Sequence, residues 1–393
     1  MPESRDRIGH SMPAIYFDHN ATTPLDPRVR AVMEPWLGEQ YGNPASLHAF
    51  GQAARDATEV AREQLASLLG ARPAELVFTA SGTEANNAVL LGRSWEGNLE
   101  GHLVVSAIEH PSVWKAALAL QDAGMEVSWV EPDGQGRMVA AEVLAEVRDD
   151  TKLVCLMLAN NEVGTLQPVE AVGRDCRERG VPVLCDAVQA IGKVPVSTAN
   201  LNVDYLTVGA HKFYGPLGAA ALWVRKGVKY EPFLKGGSQE RQRRAGTVNV
   251  PAVVGLGEAA RLAADELGQR GPRMKELRER FETGLQAIDN VVVHGRDAER
   301  LPNTSHVALV GADSESLLIR LDLAGFAVSS GSACSSGTVE PSRTLRAMRV
   351  PEEEAACSLR ISFGHGNTEQ EVDAFLDALS HEVTELRRLS SRQ

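Results

Sequence analysis

The sequence predicts an α/β protein with a mostly parallel central sheet flanked by helices and a smaller α+β domain toward the C terminus. Between residues 75 and 210, short apolar segments alternate with helical patterns, which is typical of a parallel sheet covered on both faces. From about residue 250 this alternation stops, and two long helical patterns precede mixed strands and helices. The 393 residues suffice for more than one hydrophobic core.

The chain opens with IYFDHNATTPLDP, which predicts the end of a strand running into turns. Helical periodicity starts after Pro27, and a longer helix is predicted from about Leu47 to Leu69. Strands and helices then alternate in the order ELVFTA (strand), SGTEANNAVLL (helix), HLVVSAI (strand), PSVWKAALALQDAG (helix), MEVSWVEP (strand), AAEVLAEVRDD (helix), KLVCLML (strand), PVEAVGRDCRERG (helix), VPVLCDAV (strand) and VDYLTVGA (strand). Helices from about Ala252 to Leu267 and from Pro272 to Ile288 come next, before the strands VVVHG, SHVALV and SLRISFG.

These patterns divide the chain into two domains. We predict that residues 21–264 form the large α/β domain and that residues 1–20 and 265–393 form the small one. Ligands of parallel α/β sheets bind at the carboxyl ends of the strands, so polar residues there are the first candidates for a functional site.

Composition and charge exclude several classes of protein. The net charge of -12 argues against nucleic acid or an anionic membrane as the main partner. No apolar run is long enough to span a bilayer, and the first residues contain no apolar core of signal-peptide length. The five cysteines show no paired CxxC spacing, which favours neither a zinc site nor a disulfide framework and indicates a reducing, cytoplasmic setting.

Polar side chains follow two of the first predicted strands. Ser81-Gly82-Thr83-Glu84 follows ELVFTA at a helix N terminus, where backbone N–H groups and the Thr83 hydroxyl would hold a phosphate. A simple N-cap explains the same residues. His110 follows HLVVSAI and would stack on a planar ring or transfer protons, although a capping or packing role is the alternative.

Three further strand ends carry an amide, a carboxylate and an amine. Asn161 would hydrogen-bond a ring substituent, unless it only forms a turn. Asp186, which Gln189 follows closely, ends a buried strand, where a carboxylate is costly unless it is paired; a protonated pyridine nitrogen would pair it. Lys212, in VGAHKFYGPLG, is either a solvated lysine or an amine of lowered pKa that forms a Schiff base with an aldehyde cofactor. All five features together favour a cofactor site.

Ten segments from residue 18 to residue 364 give this interpretation a family context: DHNATTPLDP, YGNPASLH, FTASGTEANN, IEHPSV, ANNEVGTLQP, DAVQAIGK, AHKFYGPLG, GGSQERQRRAGTVN, VSSGSACSSG and SLRISFG. In these segments and their order the chain resembles the group I cysteine desulfurases of the NifS/IscS type. Those proteins are class V, fold-type I pyridoxal-phosphate enzymes. The resemblance covers nearly the whole chain, and it is specific because the lysine and cysteine segments occur together.

The resemblance implies a fold-type I transferase that uses pyridoxal 5'-phosphate. Lys212 would bind the cofactor covalently and later act as the proton-transfer base. His110 would stack on the pyridine ring, Asp186 would pair with its nitrogen, and Gln189 would contact its phenolate oxygen. The resemblance thus makes Lys212 and His110 catalytic residues.

The resemblance also implies phosphate, substrate and subunit contacts. The residues that would hold the phosphate are Gly82, Thr83 and His211. Thr247 would reach the phosphate of the neighbouring subunit's cofactor, which implies a homodimer. Asn161 and Arg360 would bind the substrate carboxylate, for which a bidentate guanidinium is well suited. The alternative for Arg360 is a strand residue that points outward, with Leu359, Ile361 and Phe363 inward.

Cys334 would be the sulfur-accepting cysteine, and its neighbours in SSGSACSSG are small and polar. Its thiolate would attack the substrate sulfur and become a persulfide. A buried structural role fits Cys155, Cys176 and Cys185 instead, because they lie in apolar strands or on helices. One departure from the family matters most: Gly209 stands where relatives usually carry a phosphate-binding serine. Leu217, in GPLG, is a second departure.

The implied activity is the conversion of L-cysteine to L-alanine, with the sulfur left on Cys334 for an acceptor such as an iron–sulfur scaffold. Transfer to tRNA, to cofactor biosynthesis or to DNA sulfur modification stays open. The alternatives are another class V enzyme, such as a selenocysteine lyase or an aminotransferase, and a non-catalytic sulfur-relay protein. An aminotransferase has no need for SSGSACSSG, and the presence of Lys212, Asp186 and His110 argues against a relay protein.

Overall fold

The structure is a computed structural model that describes residues 15–93, 100–330 and 342–390. Cys334 lies outside the described residues. Twelve strands occur in the described part of the chain, and their bounds are β1 (Ile15–Tyr16), β2 (Leu76–Thr79), β3 (His102–Ser106), β4 (Glu126–Val130), β5 (Thr151–Cys155), β6 (Val183–Asp186), β7 (Tyr205–Gly209), β8 (Ala220–Val224), β9 (Val291–His294), β10 (Thr304–Leu309), β11 (Phe326–Ala327) and β12 (Ser358–Ser362).

Thirteen α-helices occur among the same residues. Their bounds are α1 (Pro27–Met33), α2 (Ala49–Leu69), α3 (Gly82–Arg93), α4 (Pro111–Asp122), α5 (Ala140–Ala145), α6 (Val169–Glu178), α7 (Thr198–Leu201), α8 (Gln239–Gln242), α9 (Val250–Gly284), α10 (Ser314–Leu323), α11 (Arg343–Ala347), α12 (Glu352–Ala356) and α13 (Glu369–Ser390). None of them is long and apolar enough to cross a membrane.

The central sheet has seven strands in the order β2-β8-β7-β6-β5-β3-β4. The neighbouring pairs β4–β3, β3–β5, β5–β6 and β6–β7 are parallel, which confirms the predicted mostly parallel sheet. Strand β8 is antiparallel to both of its neighbours. The sequence analysis missed this strand, because AALWV is a short apolar run directly after the lysine segment, without its own helix.

Alternate residues of the sheet pack into two different hydrophobic cores. On one face, Val77, Val105 and Leu184 contact helices α3 and α4. On the other face, Phe78 and Val104 contact a core that includes residues of α2, α6 and α9. Both faces are therefore covered, which is why the strands are apolar throughout.

A second sheet and its own core follow in the chain. Strands β12, β10 and β9 form an antiparallel sheet in that order, and the short strand β1 pairs with β11 in parallel. A separate core includes Phe17, Phe281, Phe363 and Phe375, so the N-terminal segment packs with the C-terminal part of the chain.

One prediction in this region is wrong. The two helices expected around residues 252–267 and 272–288 are one 35-residue helix, α9, which runs through Pro272. A proline ring crowds the carbonyl four residues earlier and removes one hydrogen bond. Here that carbonyl belongs to Gly268. Gly268 and Pro272 are both exposed, so the carbonyl is accessible to solvent. Because α9 passes through residue 264, the boundary between the two domains stays a prediction.

Candidate active site

The candidate residues gather at the carboxyl edge of the central sheet. The adjacent strands β6 and β7 run in parallel with Asp186 opposite Thr207, so Asp186 and the turn after β7 lie at the same edge. Directly after β7 the chain forms a 3-10 turn, Ala210–Lys212, which turns Lys212 toward the N-terminal segment. The position of Lys212 is therefore fixed by the sheet and by residues far away in the sequence.

The Lys212 amine lies in a partly enclosed position. Its Nζ donates hydrogen bonds to the backbone oxygens of Asn20 at 2.7 Å and Ala21 at 2.6 Å. Burial and, to a smaller extent, the positive charge of Arg360 lower the pKa of Lys212 from 10.5 to about 8, against the opposing effect of the Asp18 and Asp186 carboxylates. A larger fraction of the amine is consequently unprotonated near neutral pH than in a solvated lysine, as a nucleophilic amine requires.

A chain of hydrogen bonds joins Asp186 to His110. Asn86 is completely buried, and its Nδ2 donates to Asp186 Oδ2 at 2.7 Å and to Ser112 Oγ at 2.9 Å. Ser112 Oγ in turn lies 2.8 Å from His110 Nδ1. Thr207 Oγ1 donates to Asn86 Oδ1 at 2.7 Å and thereby fixes the orientation of the amide. The structure therefore brings these two predicted residues into one network.

Asp186 fits a cationic ring nitrogen. It is buried, and its Oδ1 accepts a hydrogen bond from the backbone N–H of Val188 at 3.0 Å. Among the described residues no lysine, arginine or histidine forms an ion pair with Asp186. A buried carboxylate without a cation is costly. A protonated pyridine nitrogen would remove that cost, so the residues present fit pyridoxal phosphate.

His110 stands at the start of α4, where its ring nitrogen caps the helix by accepting from the Ser112 N–H. The residue is exposed as a whole, although its ring is desolvated. This desolvation lowers the pKa of His110, and the Asp186 carboxylate opposes the shift. Both predictions for His110 are thus compatible: the residue caps α4 and keeps a ring open to the site.

The predicted phosphate seat lies at the N terminus of α3. Ser81 Oγ accepts from the Glu84 N–H at 3.1 Å, so the N-cap interpretation is confirmed, while Thr83 remains exposed. A Cβ at Gly82 would lie 3.0 Å from Val188 Cγ2, which leaves space for glycine alone without a shift. The free N–H groups of this helix end are suited to an anion.

His211 lies in the 3-10 turn that follows β7, and its Nδ1 is 3.1 Å from Thr22 Oγ1. Burial lowers the pKa of His211 to about 4, with Lys212 contributing in the same direction. The imidazole is therefore neutral at neutral pH, so its contribution to a phosphate would be a hydrogen bond.

Gly209 could carry a small side chain if Val188 shifts slightly. Its φ of -125° is allowed for any residue, and a Cβ there would lie 3.3 Å from Val188 Cγ1 and 3.9 Å from His211 Cδ2. We expect Gly209→Ser to bind pyridoxal phosphate about fivefold more tightly, since a hydrogen bond to a charged group outweighs the slight crowding of Val188. Equilibrium binding of the cofactor measures this effect. Gly209→Ala is the control, and a serine variant that binds no better than this alanine variant would contradict the prediction.

Asn20 connects the remaining site residues. Its backbone oxygen accepts from Lys212 and, at 3.0 Å, from Gln189 Nε2. Its side chain donates from Nδ2 to the backbone oxygen of Asn161 at 3.3 Å and to Thr304 Oγ1 at 2.9 Å. Asn20 is buried, with 1% of its surface exposed. Its hydrogen bonds link the end of the large sheet with strand β10 of the second sheet.

Arg360 points into the site and is buried, so the outward orientation is wrong for this residue. Its Nη2 donates to Asp18 Oδ1 at 2.6 Å, and its Nη1 donates to the backbone oxygen of Asn161 at 3.1 Å. Its Nε is buried without a partner among the described residues. The structure therefore brings Arg360 and Asn161 together, with Asp18 already on one side of the guanidinium.

Thr247 is the candidate that stands apart. It lies exposed on the loop between α8 and α9. Three consecutive residues of α8, Glu240, Arg241 and Gln242, have left-handed φ values of 48°, 57° and 65°, and the buried pair of Glu240 and Arg62 holds this turn in place. The loop is therefore anchored to α2, and its far end carries Thr247 to the surface.

Four cysteines lie in the described part of the chain. Cys155, Cys176, Cys185 and Cys357 are buried and unpaired by disulfides. Burial raises the thiol pKa of Cys155 and Cys185 well above the usual value and that of Cys176 to about 11. The structural role expected for these three residues agrees with their burial. No cluster of His, Cys, Asp or Glu that could hold a metal ion occurs in the residues described.

The sequence analysis missed several residues that position the site, namely Asn20, Asn86, Ser112 and Lys193. Each lies inside a segment on which the family resemblance rests. Asn86 also falls four residues after Gly82, on the first turns of α3. The spacing alone gave no reason to choose these residues, because their partners lie in other elements.

Comparison with known proteins identifies the family. The model of the class-V aminotransferases matches residues 15–375, and the chain belongs to this family. Within it, the chain is similar to pyridoxal-phosphate enzymes that are named cysteine desulfurases. Cysteine desulfurase IscS of Methanosarcina thermophila is 41% identical over 378 residues, which are 96% of this chain and 94% of that protein.

Solved structures agree with this assignment. A NifS-like protein superposes with a TM-score of 0.89 at 38% identity and covers 94% of this chain and 99% of its own. SspA in complex with cysteine superposes with a TM-score of 0.81 at 31% identity and covers 90% and 100% respectively. The predicted fold-type I architecture and the predicted family are confirmed.

Proposed function

We propose that this protein is a pyridoxal-phosphate-dependent cysteine desulfurase, which converts L-cysteine to L-alanine and leaves the sulfur on Cys334. One observation carries the proposal: Lys212, with a pKa lowered to about 8, shares the carboxyl edge of the sheet with Asp186, a buried carboxylate that forms no ion pair with any described residue. The 41% identity to a named cysteine desulfurase over nearly the whole chain supports this reaction among those of the family.

The cofactor would be held by residues at the ends of strands β2, β3, β6 and β7 and by a residue of the dimer partner. Asp186 would pair with the ring nitrogen, His110 would cover the ring, and Gln189 would contact its oxygen substituent. The phosphate would lie against Gly82, Thr83 and His211, with Thr247 reaching from the partner. When bound, pyridoxal phosphate supplies the electron sink that stabilises a negative charge at the substrate α-carbon.

Residues of the chain would move the proton, orient the site, bind the substrate and accept the sulfur. The amine of Lys212 holds and moves the proton at Nζ, for which its lowered pKa is suited. Asn86 and Ser112 keep Asp186 and His110 in fixed orientations. Arg360 Nε and the Asn161 side chain would bind the substrate carboxylate. The Cys334 thiolate would attack the substrate sulfur: the S–S bond forms as the C–S bond breaks, and the electron pair stays with the carbon that becomes alanine.

Product analysis tests this function directly. The purified protein should convert L-cysteine to equal amounts of alanine and, with a thiol reductant, sulfide. Formation of 3-mercaptopyruvate, with transfer of the amino group to an added keto acid, would indicate an aminotransferase. A clear preference for selenocysteine would indicate a lyase. A colourless protein that binds no pyridoxal phosphate and forms no alanine would support a relay protein.

Arg360 provides a separate prediction on substrate binding. We expect Arg360→Lys to raise KM for cysteine about a hundredfold with a smaller change in kcat, because a charge remains but the fork-shaped donor set is lost. Arg360→Met should additionally raise the pKa of Lys212, since Arg360 lowers it. Steady-state kinetics across pH measures both effects. Arg346→Met, an exposed arginine of α11, is the control, and an unchanged KM in Arg360→Lys would refute the carboxylate contact.

We further propose a homodimer. Four large apolar side chains between residues 37 and 50 are exposed, Leu37 at 70%, Tyr41 at 67%, Leu47 at 83% and Phe50 at 54%. The rings of Tyr41 and Phe50 stack with centroids 5.1 Å apart. Such a cluster on a surface is typical of an interface. A second copy would cover it, and sedimentation measurements test this.

The sulfur acceptor would be a protein such as an iron–sulfur scaffold, and transfer into tRNA or cofactor thiolation is the second candidate. The unpaired cysteine spacing favours a reducing compartment, so we place the protein in the cytoplasm. Co-purification of the acceptor from the source cells tests the choice of partner.

A further inference from the structure

A second lysine, Lys193, lies buried behind the site. It follows Gln189 by four residues in the turns after β6 and is 5% exposed. Its Nζ donates hydrogen bonds to Gln189 Oε1 at 2.8 Å and to Asn20 Oδ1 at 3.0 Å. No carboxylate in the described part of the chain forms an ion pair with it. A lysine almost never occupies such a place as a charged group without a partner.

The two acceptors around Lys193 match an uncharged amine. An ammonium group has three N–H donors, and here one of them would be buried without a partner, whereas a neutral amine has two. Burial lowers the pKa of Lys193 well below its ordinary value, and the cations of Lys212 and Arg360 act in the same direction. The hydrogen bonds and the surrounding charges therefore both favour the uncharged form of the Lys193 amine.

The neighbours of Lys193 have their orientations set independently. Gln189 Nε2 donates to the Asn20 backbone oxygen, which can only accept, so Gln189 Oε1 must face Lys193. Asn20 Oδ1 also accepts from Asn303 Nδ2 at 3.0 Å, while Asn20 Nδ2 faces Thr304 Oγ1. The amine is thus the shared donor that holds the Gln189 and Asn20 side chains together, directly beside the carbonyl that receives Lys212.

We infer that Lys193 is a positioning residue whose uncharged amine joins the amides of Gln189 and Asn20, and so holds Gln189 in place for the cofactor without adding a positive charge beside Lys212. The part of this inference that concerns the cofactor rests on the proposed function. The uncharged state of the amine does not, and it can be tested on the chain without cofactor.

Proton uptake on unfolding tests the uncharged state. Chains carrying Lys212→Met, so that Lys212 itself does not titrate, are unfolded in guanidinium chloride at a constant pH of about 8.5. The chain with Lys193 should take up about one proton more than the same chain with Lys193→Met, because only an uncharged buried amine gains a proton when it reaches water. Equal uptake would overturn the assignment. Lys115→Met, an exposed lysine of α4, should change nothing, and Lys193→Gln replaces the methionine variant if that fails to fold.

A double-mutant cycle tests the positioning of Gln189. Lys193→Met should weaken the equilibrium binding of pyridoxal phosphate about tenfold in the chain with Gln189, but less than about twofold in the chain with Gln189→Leu. An equal loss in both backgrounds, or no loss in either, would overturn the positioning role. A wild-type chain that binds no pyridoxal phosphate would refute the proposed function instead, while the proton uptake would still decide the state of Lys193.

Discussion

Replacing Lys212 by methionine should abolish covalent attachment of pyridoxal phosphate and lower alanine formation by at least about a thousandfold. The amine is both the attachment point and the group that moves the substrate proton, and general acid–base catalysis alone contributes factors of 10² to 10⁴. Borohydride reduction followed by mass spectrometry of the peptide that contains residue 212 measures attachment. The rate of attachment in the wild-type protein should rise with pH and level off above about 8, because the unprotonated amine becomes the main form there.

The control for this prediction is Lys115→Met, since that lysine is exposed on α4. It should leave attachment and activity unchanged. Cofactor still bound covalently in Lys212→Met would show that another amine is the anchor, and Lys193 would be the first to test, because it lies beside the same Asn20. An attachment rate that is independent of pH between 6 and 9 would contradict the lowered pKa.

Much of the fold was predictable because the continuous apolar sequence of a buried parallel strand differs sharply from the periodic sequence of an amphipathic helix. Strand β8 was missed because its five apolar residues follow the lysine turn without a helix between them. Pro272 produced the opposite error, a predicted break where α9 continues. Local sequence could not reveal that α9 is stabilised at one end by Leu256 in one core and at the other by Phe281 in a second core.

Site residues were predictable where a reactive side chain comes at or shortly after the end of an apolar strand. Asp186, His110 and Lys212 lie next to apolar strands, and the parallel sheet gathers them at one edge. Asn20 and Lys193 could not be found in this way. The Asn20 side chain meets Lys193 across 173 residues and Asn303 across 283, and a contact of that length leaves no periodic pattern in the sequence.

The second large effect concerns Cys334. Cys334→Ala should keep the cofactor attached to Lys212 and should still bind cysteine, but sulfide release in the presence of a thiol reductant should be lost. A thiolate is the nucleophile that takes the sulfur, and alanine offers none. Assay of sulfide together with mass spectrometry of the intact chain measures the outcome, since the wild-type chain should gain the mass of one sulfur atom after treatment with cysteine and the variant should not.

The four other cysteines are buried and poorly suited to accept the sulfur in place of Cys334. Burial raises the pKa of the Cys155 and Cys185 thiols well above the usual range and that of Cys176 to about 11, so they stay protonated at neutral pH and are poor nucleophiles. Cys357 is also buried, at the end of α12. None of them can therefore replace Cys334. Cys176→Ala is the matched control and should keep its sulfide release, whereas sulfide release at the wild-type rate by Cys334→Ala would exclude Cys334 as the sulfur acceptor.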